Sequence, residues 1–234
     1  VVEEKKIEEM DVVFLMDRFG YAKTIDMAAY ERNREAADAE NRYVLTCKNT
    51  DKICIFTNKG QMHLLKVLDL PFGKFRDKGT PIDNLSNYNS SEENFVYITN
   101  LGAICNHKLI FGTKMAMLKI VDGSEFDVAK RTTAATKLTD GDEVLFVHPV
   151  AGNETIVMQS ERDFFLRIAV DSIPEKKKGA AGVRGMRLGE KDQLEAMYLY
   201  HPGQETAVEY KEKQLILNKL KAGSRDTRGV RVRG

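Results

Sequence analysis

Apolar positions along the chain fall in short unbroken runs, each followed within a few residues by a turn and a second run. Val12-Val-Phe-Leu-Met16 passes through Asp17-Arg-Phe-Gly20 into Tyr21-Ala-Lys-Thr-Ile25, and the β-branched content and turn glycine predict a hairpin. The same grammar predicts hairpins over Ile53–Gly60 with Gln61–Leu65, Leu109–Ala116 with Met117–Ile120, Ile156–Asp163 with Phe164–Ile168, and Thr206–Lys213 with Gln214–Leu217. Taking turn positions at 20, 60, 116, 163 and 213, the gaps are 40, 56, 47 and 50 residues, the spacing of repeated β units such as propeller blades.

Between hairpins lies a second kind of strand: Tyr43–Cys47, Phe95–Thr99, Val144–His148 and Met197–Tyr200. Each follows a polar or acidic turn, at 38–41, 90–94, 139–143 and 189–193. A glycine-bearing crossing completes the unit, clearest in Gly179-Ala-Ala-Gly-Val-Arg-Gly-Met-Arg-Leu188 after Lys176-Lys-Lys178. A copy closes the chain at Asp226–Gly234, and weaker echoes occur at Asp77–Leu85 and Arg131–Leu138. A single such unit has too little apolar surface to stand alone and must bury it against its neighbours. The one helical pattern is Asp26–Glu40, with an acidic start and Ala, Glu and Arg throughout, which predicts one to three turns. Linkers long enough to separate domains are absent. The expectation is therefore a single all-β domain over residues 1–234, closed on itself, with five units at about 9–47, 48–93, 94–142, 143–193 and 194–234.

Composition narrows the function classes. A net charge of +1 across 36 basic and 35 acidic residues announces no nucleic-acid partner by its total, so any basic surface must arise by segregation on the fold. Cys47, Cys54 and Cys105 are odd in number and lie in or beside apolar runs, which predicts free thiols and a reducing, cytoplasmic compartment. Cys105-Asn-His107 has no second ligand pair at zinc spacing, so no metal site is expected. No apolar run reaches the length of about 20 residues that spans a bilayer. No histidine has a carboxylate or cysteine partner at catalytic spacing, and no glycine-rich nucleotide loop is present. The start at Val1 without Met suggests a piece of something longer.

The ordered repeat, with Phe56–Gly60, Leu65-Lys66-Val67, Lys78-Gly-Thr-Pro-Ile82 and Gly182-Val-Arg-Gly185, resembles the C-terminal domain of the A subunit of bacterial type IIA topoisomerases, DNA gyrase and topoisomerase IV. The resemblance runs from Glu9 to Gly234. It implies a β-pinwheel, a closed propeller-like ring of about five four-stranded blades whose outer rim binds and bends duplex DNA. It also implies that the catalytic tyrosine, ATP and Mg²⁺ belong elsewhere, in an N-terminal region and a partner ATPase B subunit, so this piece has no catalytic residue and no cofactor. A monomeric fragment of a dimeric subunit is expected.

Gyrase members carry the box Gln-Arg-Arg-Gly-Gly-Lys-Gly after the first blade. Tyr30-Glu-Arg-Asn-Arg-Glu-Ala-Ala37 stands there instead, without the glycines that bring backbone close to phosphate and with added carboxylates. This departure and the count of five favour a topoisomerase IV-like subunit over gyrase with a degenerate box; a protein-interaction scaffold is the alternative from another class. The residues that the resemblance places on the DNA-binding rim are Lys23, His63, Lys119 and Arg167 after the hairpin turns, and Lys59, Lys114 and Arg162 on or just before them. Lys66, Arg131, Lys176, Lys177, Lys178, Arg184, Arg187 and Arg228 complete the set. Arg184 and Arg228 have the structural alternative of pairing with carbonyls or acids at the crossings.

Overall fold

The computed structural model describes residues 6–233; Val1–Lys5 and Gly234, at the two ends of the expected domain, lie outside the described residues. All five hairpins form where the apolar runs place them: Asp11–Met16 with Tyr21–Asp26, Lys52–Thr57 with Gln61–Lys66, Lys108–Thr113 with Met117–Asp122, Thr155–Ser160 with Phe164–Ala169, and Ala207–Tyr210 with Lys213–Ile216. The linking strands Tyr43–Lys48, Phe95–Asn100, Val144–Val150 and Leu194–Tyr200 each pair with the first strand of the hairpin before them.

The fourth strand of each blade is borrowed. Val183–Arg184 follows the fourth hairpin in the chain but pairs with Met117–Asp122 of the third. Thr132–Ala134 and Val230–Arg231 reach back in the same way to the second and fourth blades. Phe72–Gly73 and Thr80–Pro81 do so for the first, which thereby has five strands. No completed blade is therefore one contiguous stretch, and the repeat boundaries of the sequence cut across the sheets. The expected four-stranded blade is met in the second, third and fourth units, while the fifth hairpin is a two-stranded sheet among the described residues.

Both faces of each of the first four hairpins are packed, which is why their strand runs are unbroken rather than alternating, whereas the last hairpin packs one face and alternates. Phe14 and Met16 meet Ile53, Ile55 and Leu65 between blades 1 and 2. Phe56 and Met62 meet Phe111 and Phe126 between blades 2 and 3, with the Phe56 ring 5.7 Å from Phe111 and 5.0 Å from Phe126. Ile110 and Leu118 meet Ile156, Met158 and Leu166 between blades 3 and 4, and Val157 and Phe165 meet Leu217 and Tyr210 of the last hairpin.

The outer face of blade 1 is covered differently. Val13, Leu15 and Ile25 pack under Ala29 and Ala37 of two short helices, α1 (Met27–Arg32) and α2 (Arg34–Glu40), and under Phe75. Asp26 caps α1 by accepting from the Ala29 amide at 2.6 Å, and the helical stretch breaks at Asn33. Alanines on the buried side let the helices lie close to the sheet. The packed interfaces therefore run in succession from the helices through blade 5, and among the described residues no core cluster joins the first blade to the last.

The crossing glycines have a steric reason. Gly79, Gly182 and Gly229 each stand one residue before the borrowed strand, where a Cβ would lie 2.9, 2.7 and 2.3 Å from the carbonyl oxygens of Ala22, Leu118 and Phe165. Gly182→Ala is expected to destabilise the chain by about 2 kcal/mol, because the obstacle is backbone of the neighbouring strand and cannot step aside. Gly179→Ala, where a Cβ meets nothing within 4 Å, is the control expected to leave the denaturant midpoint unchanged.

Candidate nucleic-acid interface

Lys23, His63 and Lys119 occupy one equivalent place in the first three hairpins, opposite Leu15, Ile55 and Phe111. The structure corrects their expected role. Lys119 is 1% exposed, and its ammonium donates to the carbonyls of Lys177, Lys178 and Ala180 at 3.0, 3.1 and 2.8 Å. Lys23 donates to the carbonyls of Phe75 and of Asp77, the latter at 2.7 Å. His63, 4% exposed, shares Nδ1 with Thr132 Oγ1 at 2.8 Å and Nε2 with Glu93 at 2.9 Å, a carboxylate partner that spacing along the chain did not disclose.

All three side chains tie a hairpin to the crossing that lends it a strand, or to the turn beside that crossing. Burial pushes the Lys119 ammonium down to about 8 and lowers Lys23 as well. Arg167, one register position further on and facing the last blade, donates to the carbonyls of Asn218 and Leu220 at 2.7 and 2.9 Å. His63 and Lys119 are buried and committed to partners inside the protein, which makes them braces, while Lys23 and Arg167 brace from half-buried positions.

The other expected residues divide by partner. Lys114 is held by Glu143 at 2.7 Å, a contact that, with the Asn58 amide, lowers the Glu143 carboxyl below its usual range. Lys59, Lys66 and Arg162 are exposed at hairpin ends. Arg131 is exposed while donating to the Leu85 carbonyl at 3.0 Å, and Arg228 stacks 4.4 Å from the Phe164 ring centre. Arg184 and Arg187 lie 3.5 and 3.9 Å from Asp226 Oδ1, which has no hydrogen-bond partner, so both pairs are loose and both guanidiniums remain open to solvent. Lys177 is exposed, and Lys176 and Lys178 are half-buried beside it.

These positions form one surface because the crossings touch one another. The Lys137 amide donates to the Ala180 carbonyl at 3.2 Å, the Arg187 amide to Thr227 at 2.8 Å and the Asp226 amide to Gly185 at 2.9 Å; Asn87 reaches Thr132 at 2.9 Å. The second, third and fourth crossings thus run side by side along the borrowed strands, and the chain that continues from the first meets the second at Asn87. Residues 74–80, 128–138, 175–188 and 221–231 carry fifteen Lys and Arg against three Asp and Glu, so the remainder of a chain of net charge +1 is acidic by eleven. Segregation on the fold produces a basic rim from a neutral total. Sequence reasoning missed Lys74, Arg76, Lys78, Lys130, Lys137, Lys221, Arg225 and Arg231 of this rim. The signal that could have found them is their recurrence beside the crossing glycines.

Tyr30–Ala37 lies within α1 and α2, where Arg34 pairs with Glu31 at 3.0 Å and the Tyr30 hydroxyl donates to Asp38 at 2.7 Å. The place of the glycine-rich box is thus taken by packed helix. Tyr43, Tyr97, Tyr198 and Tyr200 stand in the linking strands, as packing residues. No helix among the described residues is long and apolar enough to cross a membrane.

Interleaved blades with a basic outer ribbon define a β-pinwheel domain. The chain belongs to the family of the DNA gyrase C-terminal domain, beta-propeller, whose family model matches residues 51–88, 107–151 and 154–199. The matched stretches omit the helix-capped first hairpin and the two-stranded last one. Among curated proteins, the DNA gyrase A protein of Lawsonia intracellularis is 30% identical over 214 residues, 87% of this chain and 26% of that protein. Its Escherichia coli K12 counterpart is 26% identical over 202 residues, 82% of this chain and 23% of that protein. The chain spans about a quarter of the length of these relatives. Two solved structures share the fold. The C-terminal domain of DNA topoisomerase IV superposes with a TM-score of 0.86 at 22% identity, over 97% of this chain and 73% of that one. The E. coli ParC C-terminal domain gives 0.79 at 14% identity, over 96% and 95%.

Proposed function

We propose that this chain is the non-catalytic, DNA-binding and DNA-bending domain of a topoisomerase IV-like A subunit in the bacterial cytoplasm. It selects DNA geometry for ATP-dependent strand passage, which the ATPase partner carries out with the catalytic N-terminal region in relaxation or decatenation. The observation that carries this reading is the set of crossings, whose stretches hold fifteen Lys and Arg, most of them exposed, against three Asp and Glu in a chain of net charge +1. A duplex laid along it exchanges condensed counterions for lysine and arginine, so binding is non-specific in sequence and steeply salt-dependent. Bending follows from the curvature of a blade succession and is easiest at deformable steps.

The helix pair at Tyr30–Ala37 supports the topoisomerase IV side of the choice. Its backbone is closed by its own hydrogen bonds and its surface carries Glu31, Glu35 and Asp38, which repel a phosphate chain. The naming of the curated relatives as DNA gyrase favours the second reading, a gyrase domain with this altered first blade. Gel shifts on duplex DNA from about 0.05 to 0.3 M salt are expected to show a steep fall in affinity, and absence of binding at the lowest salt would remove the proposal. Introduction of negative supercoils into relaxed plasmid by the complete enzyme with ATP would decide for gyrase.

A further inference from the structure

The most exposed large apolar side chain of the described residues is Phe19, 70% accessible at the tip of the first hairpin. The tip is stiff. Asp17 Oδ1 accepts from the amides of Phe19 and Tyr21 at 2.9 and 3.1 Å, and the Gly20 amide donates to the Asp17 carbonyl at 3.2 Å. An aromatic ring held out on a rigid turn forgoes the stabilisation of burial, which something that covers it would recover. Cations frame it: the Arg18 guanidinium sits 4.7 Å from the Phe19 ring centre, and the Lys78 ammonium 5.7 Å from that of neighbouring Tyr21. Phe19, Tyr21 and Lys78 line one cavity against the first crossing.

Asp17 holds the turn, Asp77 Oδ2 accepts from the Lys74 amide at 2.8 Å and Glu40 stands on the cavity wall; these three carboxylates face the Lys23 side, and the cations next to the exposed ring are Arg18 and Lys78. Equivalent tips bear Lys59, Met115 and Arg162. Met115 is less suited, being 42% exposed against 70% for Phe19 and lying against Thr139, whose hydroxyl is 3.5 Å from its sulfur.

The geometry points to Phe19 as an apolar wedge that enters a base step of the duplex held on the rim and kinks it at the first blade. The inference rests on the DNA-binding reading above. An apolar side chain flanked by cations fits this occupant better than a protein surface, because phosphates border every base step on both sides. Inserted apolar side chains unstack a step and kink the helix, and pyrimidine–purine steps yield most easily.

The test uses the whole 234-residue chain and a duplex carrying 2-aminopurine at TpA steps, with donor and acceptor dyes at its ends. Wild type is expected to raise the 2-aminopurine fluorescence and shorten the end-to-end distance. Phe19→Ala should lose the fluorescence rise and relax the bend, while the dissociation constant changes by less than about threefold because the rim cations carry the affinity. Phe19→Leu should keep both signals. Since the ring is outside the core, both variants should melt with wild type.

Binding and bending without a fluorescence rise, or an Ala variant equal to wild type, would overturn the wedge and leave the rim reading standing. No binding by wild type at low salt would overturn both. A wild-type chain that self-associates in sedimentation while Phe19→Ala stays monomeric would assign the ring to a second copy and overturn the wedge.

Discussion

Replacing Lys119 by Met is expected to lower folding stability by about 3 kcal/mol and the melting midpoint by about 6–12 °C. Methionine matches the length of the lysine stem and keeps the apolar packing against Phe111, whose ring centre lies 5.7 Å from the ammonium. It supplies no donor. Three carbonyls of the crossing that now share the ammonium would be left without it, in a place from which water is largely excluded.

The effect should depend on pH with a definite sign. The lysine titrates at about 8 in the folded chain because burial disfavours its charge, against about 10.4 when unfolded. Between these values the unfolded chain holds a proton that the folded chain has released, so wild type gains stability as pH rises through the window. The Met variant lacks that gain, and its deficit should widen from pH 7 to pH 9.5. Urea midpoints of both proteins at the two pH values check this; coincident midpoints at pH 7 would mean that Lys119 is not a brace. Lys177→Met, on the exposed side of the same crossing, should change stability by less than about 0.5 kcal/mol.

Alanine at Lys177, Arg187 and Arg228 together should show the reverse pattern. These side chains are exposed, so folding should be nearly unchanged. If each neutralises one phosphate, their loss reduces the slope of log affinity against log salt by about 2.7 and weakens duplex binding by about a hundredfold near 0.15 M salt. Fluorescence anisotropy on a duplex of about 40 base pairs across a salt series measures both quantities. An unchanged slope would show that DNA, if bound, takes another path. The two experiments together separate lysines that hold the rim in place from those that face outward on it, a distinction invisible in their residue type.

The hairpins were legible because unbroken apolar runs ending in a turn have few other ways to bury both faces. Val12–Met16 and Ile53–Phe56 lie between packed layers as their composition demands. The helix over 26–40 was legible as well, although its break at Asn33 and its work as the cover of blade 1 were not. The borrowed strands escaped notice: Val183–Arg184 is two residues long, and nothing local states that it pairs with Met117 and Leu118 some 66 positions earlier. Lys119 and Lys177 look alike in the chain, yet one is sealed under the other's carbonyl. Glu93 was unseen as the partner of His63 for the same reason, the pair being 30 residues apart.

By itself the sequence determined the number and placement of the hairpins, the places where a crossing must carry glycine, and the family to which their order belongs. Those properties depend on neighbouring residues and on the repeat, and both are written along the chain. Only the tertiary structure decided which strand completes which blade, that helices and not another blade cover the first sheet, and which cations are braces and which stand on the rim. Such outcomes rest on burial and on carbonyls brought together from distant repeats. A lysine's role follows from the water left around it, which folding alone establishes.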